Sequence, residues 1–252
     1  MMTAHDVPTV LFDLDGTVLD PAGAITEGLS DAIAAHGFER PTPETLRKFV
    51  GPSTDSSLTQ YTSIPSEYHQ AILATYRGGY LDRARRVSRV YPGLVEILRD
   101  LSASRARVGI ATQKPLPTTN TLLEDFGLTG YFDVVSGARD SLKPETRHLP
   151  HDKAGVIDRA LTLLRDDAAG RGETLGPCVM VGDREHDIVG AAAHGMPCIG
   201  VSWGFGDPEE LLNAGAECVV DDAAGLRRAI ERATGVAVSS TSSGAPPTDP
   251  LS

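Results

Sequence analysis

The chain has 252 residues, of which 40 % are hydrophobic and 23 % are charged, and this composition excludes a wholly disordered protein. Its 23 basic and 34 acidic residues give a formal net charge of −11, which disfavours nucleic acids and anionic membranes as partners. No stretch approaches the roughly 20 apolar residues of a membrane span, and no basic segment followed by an apolar run opens the chain. We therefore expect a cytoplasmic protein.

Short apolar runs typical of buried strands recur along the chain. The first, residues 9–13, ends in an acidic cluster and Gly16, as a strand does where it enters a loop. Further runs are found at 108–111, 132–135, 178–181, 198–201 and 218–220. Helical patterns separate most of them, at 94–104, 118–126, 154–165, 188–194 and 223–232. This alternation predicts an α/β fold with a doubly wound parallel sheet.

One interval breaks the alternation. Residues 20–90 have no convincing strand pattern, and their helical patterns lie at 24–36, 42–50, 54–61 and 67–85. We interpret residues 20–90 as a small α-helical insertion, named the helical insertion below, in a sheet domain formed by residues 1–19 and 91–235. Residues 236–252 are rich in Ser, Thr and Pro and have no apolar face, so we expect a disordered tail there.

Acidic and hydroxyl side chains follow several of the predicted strands. Asp13 and Asp15 come after the first strand, Thr112 after the second, and Asp183 and Asp187 after the fourth. Because parallel strands deliver such side chains to one edge of the sheet, we expect all five to converge. Either acidic pair alone is also typical of a turn or a helix cap, but both pairs at this edge favour a site. Four carboxylates together require a cation, and their hard oxygens suit Mg²⁺.

The pair Asp13 and Asp15 has a second implication. We expect the two carboxylates to converge through a departure of the backbone from strand geometry between them, a bend that Gly16 permits. One Asp can then attack phosphorus and form an aspartyl phosphate. The other can protonate the leaving oxygen and later deprotonate water. Mg²⁺, a lysine and the Thr112 hydroxyl would bind the phosphoryl oxygens.

Two motifs carry a family resemblance. They are Phe12-Asp13-Leu14-Asp15-Gly16-Thr17 and Gly182-Asp183 followed by Asp187. With them, residues 9–232 resemble the haloacid dehalogenase superfamily, in particular its phosphoglycolate phosphatase and 5′-nucleotidase-like branch. The resemblance implies a Rossmann-like core, and it identifies the helical insertion with the family's cap domain.

The resemblance also implies roles for individual residues. Asp13 corresponds to the nucleophile and a metal ligand, Asp15 to the general acid/base, and Thr112 to a phosphate ligand. Asp183 corresponds to a metal ligand, and Asp187 to a further ligand or its neighbour. With the convergence argued above, this gives four candidate Mg²⁺ ligands, which are Asp13, Asp15, Asp183 and Asp187.

The catalytic lysine is ambiguous in the sequence. Lys143 precedes a proline, as in many relatives, whereas Lys153 opens a helical pattern and has a spacing to Asp183 nearer that of the family. We favour Lys153 as the catalytic and phosphate-binding lysine. Gln113 stands where relatives often have Asn, and we expect it to contact phosphate.

These features predict a Mg²⁺-dependent phosphatase that acts on a small phosphorylated metabolite, such as phosphoglycolate or a nucleoside monophosphate. A phosphomutase of the same superfamily is one alternative, and a non-enzymatic phospho-accepting regulatory module is another. The helical insertion is expected to close over the site and to select the substrate through residues 49–53. The oligomeric state is left open.

Overall fold

The main sheet has six strands that are all parallel. The computed structural model of the protein describes residues 5–238, and the strand order is β5-β4-β1-β6-β7-β8. The bounds are β1 His5–Phe12, β4 Arg107–Pro115, β5 Val134–Ala138, β6 Glu173–Gly182, β7 Cys198–Val201 and β8 Cys218–Val220. Strand β1 lies between β4 and β6, so its carboxyl end opens at the middle of the sheet edge. This topology confirms the predicted fold class.

Helices cover both faces of the sheet. They are α5 Leu94–Ser102, α6 Leu116–Asp125, α7 Lys153–Gly170, α8 Glu185–Ala192, α9 Pro208–Asn213 and α10 Ala223–Thr234. Successive strand side chains point to opposite faces, and accordingly Val10 and Phe12 belong to one apolar cluster with α5, α6 and α10. Leu11 lies on the other face, in a second cluster with α7 and α8. Within residues 5–238, no helix is both long and apolar enough to cross a membrane.

The helical insertion is formed by α1 Thr26–Ala35, α2 Pro43–Arg47, α3 Thr54–Tyr61 and α4 Ser66–Val87. Its two connections to the sheet pair with each other as β2 Leu19–Asp20 and β3 Arg89–Val90, in antiparallel register. The strands β2 and β3 therefore bring both ends of the insertion together beside the carboxyl end of β1. Buried residues of α1 and α4 join the apolar cluster that contains Val10 and Phe12, which attaches the insertion to the sheet domain.

Several elements differ from those that the sequence predicts. Strand β1 begins at His5, four residues early, and β5 spans Val134–Ala138 instead of 132–135. Helix α9 has no predicted counterpart, because six residues are too few to display a helical period. Its start is nonetheless encoded locally, since the Asp207 side chain accepts a hydrogen bond from the Glu209 N–H and Pro208 occupies the first turn.

The predicted tail starts too early. Val236 and Val238 are buried, and the Val238 N–H donates to Oε1 of Glu231 on α10 at 2.8 Å. The prediction of disorder is therefore wrong for residues 236–238, whose two valines pack onto the apolar cluster beneath α10. Residues 239–252, to which the rest of that prediction applies, lie outside the described residues.

Candidate active site

The loop after β1 is shaped by a close approach to the loop after β6. The Asp13 N–H donates to the carbonyl of Val181 at 2.9 Å, which continues the β1–β6 pairing by one residue. Gly16 then adopts a φ of +86°, and a Cβ atom at this position would lie 2.2 Å from Oδ2 of Asp183. A side chain is therefore excluded at Gly16 both by backbone conformation and by the neighbouring carboxylate.

Three carboxylates form a buried cluster at this edge. Asp13, Asp183 and Asp187 each offer an oxygen, and these atoms lie within 4.8 Å of one another. Asp183 is fixed by the Thr17 hydroxyl, which donates to Oδ1 at 3.2 Å, and by the Phe205 N–H, which donates to Oδ2 at 2.8 Å. The cluster is thus held in place by neighbours on the loops after β1, β6 and β7.

The electrostatics of this cluster call for a cation. Burial raises the pKa of Asp13 to about 6, against the opposing effect of Lys153. Burial, followed by the charges of Asp187 and Asp13, raises the pKa of Asp183 well above its usual range. A divalent ion would relieve this repulsion, and a buried set of carboxylate oxygens matches the ligand preference of Mg²⁺. The residues present therefore fit a magnesium ion.

Lys153 lies against the cluster. It is the first residue of α7, where the Asp152 side chain caps the helix by accepting from the Gly155 N–H. Its Nζ lies 2.6 Å from Oδ1 of Asp13 and 2.6 Å from Oδ1 of Asp187. Burial lowers the pKa of Lys153, but the two carboxylates raise it more, so the pKa lies above its usual range and the side chain stays charged.

Lys143, the other candidate lysine, lies elsewhere. It is exposed and stands at the rim of the cavity described below. The structure therefore brings Lys153, and not Lys143, to the carboxylate of Asp13.

Asp15 turns away from the cluster. Its carboxylate does not belong to the group formed by Asp13, Asp183 and Asp187, although the sequence predicts it as a fourth metal ligand. Oδ2 of Asp15 instead accepts a hydrogen bond from Nζ of Lys114 at 2.5 Å. Asp15 is thus paired with Lys114, whereas Asp13 and Asp187 share Lys153.

The predicted phosphate ligands lie at the end of β4. Thr112 is buried, and its Oγ1 accepts a hydrogen bond from the Lys114 N–H at 3.3 Å. Gln113 is half-buried and contributes to the wall of the cavity beside Asp15. Both residues thus occupy the predicted sheet edge, next to the loop that carries Asp13.

A cavity of about 170 Å³ separates the helical insertion from the sheet edge beside Asp15. Aromatic and apolar side chains of the insertion form one wall, and polar residues of the sheet domain form the other. The lining includes Asp15, Ile25, Phe49, Tyr76, Arg77, Tyr80, Gln113, Lys114, Asp140 and Lys143. Of these, the sequence does not predict Arg77, Tyr80, Lys114 or Asp140 as site residues.

Arg77 connects the two walls of the cavity. Its guanidinium donates to Oδ2 of Asp55 on α3 at 2.8 Å and to Oδ1 of Asp140 in the sheet domain. Arg184, the residue after Asp183, makes a second connection. Its guanidinium donates a hydrogen bond to the carbonyl of Val50 in the insertion. Two arginine side chains therefore connect the helical insertion to the sheet domain.

Comparison with known proteins defines the family. Residues 10–201 match the model of the haloacid dehalogenase-like hydrolases. This match covers well over half of the chain, which therefore belongs to that family, and the predicted family is confirmed.

Several relatives cover most of this chain. Tyrosine-protein kinase PtkA of Mycobacterium tuberculosis is 34 % identical over 197 residues, which make up 78 % of this chain but only 62 % of PtkA. A 5′-nucleotidase of Pseudomonas aeruginosa is 29 % identical over 224 residues, covering 89 % of this chain and 96 % of that protein. A crystal structure described as a predicted phosphatase from Clostridium acetobutylicum superposes with a TM-score of 0.77 and 31 % identity, covering 90 % of this chain and 99 % of that one.

Proposed function

We propose that the protein is a Mg²⁺-dependent phosphatase that hydrolyses the phosphate monoester of a small metabolite. One observation carries this proposal. A buried carboxylate, Asp13, shares a cluster with Asp183 and Asp187 and contacts Lys153, while Asp15 faces a separate cavity. Nucleophile and acid/base thus have different surroundings, as a two-step phosphoryl transfer requires. The phosphatase and nucleotidase names of the relatives support the same reaction class.

In the first step, a carboxylate oxygen of Asp13 attacks phosphorus. The bond from phosphorus to the ester oxygen breaks, its electron pair stays on that oxygen, and a proton from Asp15 neutralises it. Lys153 orients the Asp13 carboxylate through its contact with Oδ1, and the Thr112 hydroxyl is available to the phosphoryl oxygens. Mg²⁺, held by Asp13, Asp183 and Asp187, would supply further positive charge to those oxygens.

In the second step, Asp15 acts as a base. It takes a proton from water while the water oxygen bonds to phosphorus and the bond to the Asp13 oxygen breaks. Inorganic phosphate leaves, and Asp13 is again a carboxylate and Asp15 again carries a proton. The two aspartates therefore return to their starting states after each turnover, so that no further reactant is needed.

The volume of the cavity limits the size of the substrate's leaving group. A volume of about 170 Å³, walled by the helical insertion, suits the leaving group of a small metabolite and not a folded phosphoprotein. Phosphoglycolate and nucleoside monophosphates are the first compounds to test, and the 5′-nucleotidase name of one relative supports the second. The cytoplasmic location stays a prediction.

An assay of phosphate release distinguishes a phosphatase from a phosphomutase and from a regulatory module. With Mg²⁺ and 4-nitrophenyl phosphate, we expect continuous release of inorganic phosphate, which a phosphomutase or a regulatory module would not sustain. Asp13→Asn should lower this rate by several orders of magnitude and abolish labelling of the protein by substrate phosphate. Asp6→Asn, an exposed position near the start of the same strand, is the matched control. Full activity of a folded Asp13→Asn protein would contradict the covalent mechanism.

A further inference from the structure

The end of β4 contains a local irregularity that places Lys114. Thr112 pairs with Gly137 of β5, but the next pair joins Pro115 to Ala138. Gln113 and Lys114 are therefore extra residues on the β4 side, which is the pattern of a β-bulge. Bulges redirect side chains at the rims of sheets, and here the redirected side chain is that of Lys114.

Gly137 accommodates this bulge. A Cβ atom at Gly137 would lie 2.7 Å from Cα of Leu116 and 2.9 Å from the carbonyl oxygen of Lys114. Backbone atoms cannot give way as a flexible side chain does, so this close approach requires glycine. The backbone on both strands is thus arranged to bring Lys114 to the sheet edge.

Lys114 has a partner on each side of the cavity. Its Nζ donates to Oδ2 of Asp15 at 2.5 Å, and both side chains are more than nine-tenths buried. The same Nζ lies 4.5 Å from the ring centroid of Tyr80 on α4, within the range of a cation–π contact. Tyr80 is itself buried. Lys114 therefore links the sheet domain's Asp15 to an aromatic ring of the helical insertion.

This contact distinguishes the two oxygens of Asp15. Oδ2 is occupied by Lys114, whereas Oδ1 is buried and has no hydrogen-bond partner within residues 5–238. A buried carboxylate oxygen without a partner is costly unless another group binds it in the working state. Because Asp15 lines the cavity, the ester oxygen of a bound substrate is such a group.

We propose that Lys114 is a positioning residue that holds Asp15 by Oδ2, so that Oδ1 exchanges the proton with the leaving group, and that Tyr80 holds Lys114 in place. This inference rests on the proposed phosphatase function and deepens it. It makes the proton transfer depend on a residue of the helical insertion, because the Tyr80 ring that contacts Lys114 belongs to α4.

Leaving-group basicity provides the test. Phenyl phosphate and 4-nitrophenyl phosphate differ by one nitro group, but phenolate is much the more basic leaving group and needs the proton more. The ratio of kcat/KM for the two esters therefore measures proton donation in the first step. Proton donation contributes about 10²- to 10⁴-fold, so Lys114→Met should lower kcat/KM for phenyl phosphate at least tenfold more than for 4-nitrophenyl phosphate. Lys48→Met, at an exposed lysine paired with Glu44, is the matched control and should leave the ratio unchanged.

Four further variants separate positioning from a general structural effect. In the Asp15→Asn background, Lys114→Met should not change the ratio again, because its effect is transmitted through Asp15. Lys114→Arg keeps the charge and should bring the ratio back towards that of the unmodified protein. Tyr80→Leu should shift the ratio in the same direction as Lys114→Met, and Tyr80→Phe, which keeps the ring, should shift it less.

The outcomes discriminate clearly. An equal fall for both esters in Lys114→Met, or a ratio that still changes in the Asp15→Asn background, would overturn the positioning role while leaving the phosphatase proposal intact. If Lys114→Met does not fold, Tyr80→Leu decides, and an unchanged ratio in that variant overturns the role. Absence of Mg²⁺-dependent hydrolysis by the unmodified protein would overturn the phosphatase proposal and this inference together.

Discussion

The carboxylate cluster and the cavity beside Asp15 draw their residues from different parts of the chain. Asp13, Asp183, Asp187 and Lys153 all come from the sheet domain, and their mutual contacts are short and buried. The cavity takes one wall from the helical insertion. Under the proposed mechanism, we expect the sheet domain to fix the groups that make and break bonds and the insertion to recognise the leaving group.

The largest effect is expected on the cluster side. Asp183→Asn removes one of three carboxylates while keeping the shape that Gly16 and Gly204 closely surround. Too few hard ligands then remain for Mg²⁺, so activity should fall by several orders of magnitude or require far more metal. The measurement is a Mg²⁺ titration of the initial rate for both proteins.

Chelation is the companion experiment. Excess EDTA should abolish hydrolysis by the unmodified protein, and added Mg²⁺ should restore it. Activity that persists in excess chelator would show that the cluster works without a metal ion.

Lys153 should rank next. Lys153→Met leaves Asp13 and Asp187 without their cation, and loss of one such donor costs about 10²- to 10³-fold in rate. Breaking a buried ion pair also lowers the free energy of unfolding by about 3–5 kcal/mol. Lys143→Met, at an exposed rim position, should lose much less on both counts. Steady-state kinetics and urea unfolding at saturating Mg²⁺ give the comparison, and a reversed ranking would reassign the catalytic lysine.

The cluster could be predicted from the sequence because its residues follow recognisable strands. Asp13, Thr112 and Asp183 each lie at or just after the end of an apolar run, and parallel strands bring such positions to one edge. The catalytic lysine was harder to predict, because the sequence offered both Lys143 and Lys153 as candidates. Nζ of Lys153 lies 2.6 Å from Oδ1 of Asp13 because α7 packs on the sheet. No local sequence pattern specifies that packing.

The cavity side could not be predicted in the same way. Lys114 reaches Asp15 because two residues bulge from β4, and a register shift between strands leaves no periodic signal. Arg77 reaches Asp140 across 63 positions of sequence. Asp15 follows β1 as expected, but its carboxylate pairs with Lys114 and is not part of the cluster formed by Asp13, Asp183 and Asp187. The motifs therefore predict where these residues lie along the fold, but not which partners their side chains contact.

A smaller effect is expected where the two regions are joined. Arg77→Met removes the guanidinium that connects Asp55 on α3 with Asp140 in the sheet domain, so docking of the insertion should weaken. We expect KM to rise several-fold with a smaller change in kcat, because the cluster itself is untouched. Hydrogen bonds to charged groups contribute about 1.5–3 kcal/mol, and urea unfolding should show a loss of this order.

The control for Arg77 is a more exposed arginine of the same helix. Arg85 also reaches the sheet domain, through Asp125 on α6, but this pair lies at the surface, where ion pairs contribute little. Arg85→Met should therefore leave both KM and stability nearly unchanged. Equal effects of the two substitutions would mean that Arg77 acts only as a general α4 surface charge and not at the cavity.

The smallest effect on the overall rate of hydrolysis is expected where the insertion selects the substrate, and the structure indicates which of residues 49–53 to change. Gly51 has a φ of +108°, and a Cβ there would lie 2.8 Å from Cγ of Arg184, so substitution disturbs the backbone. Ser53 caps α3 by accepting from the Ser56 N–H, so its loss weakens the helix. Phe49 instead lines the cavity with its ring and is fully buried.

Phe49→Leu should therefore reorder substrates without impairing the chemistry. A change in the shape of an apolar wall alters discrimination by about tenfold or more between substrates that differ by a methylene-sized group. We expect kcat/KM across a panel of phosphorylated metabolites to change unevenly, while the rate with 4-nitrophenyl phosphate falls least. Phe38→Leu, at an aromatic position that packs on Tyr68 away from the cavity, controls for a general loss of packing in the insertion. If every substrate falls by the same factor in Phe49→Leu, or if a phosphorylated protein outcompetes all metabolites, the insertion does not select the leaving group, and recognition must reside in the sheet domain with the chemistry.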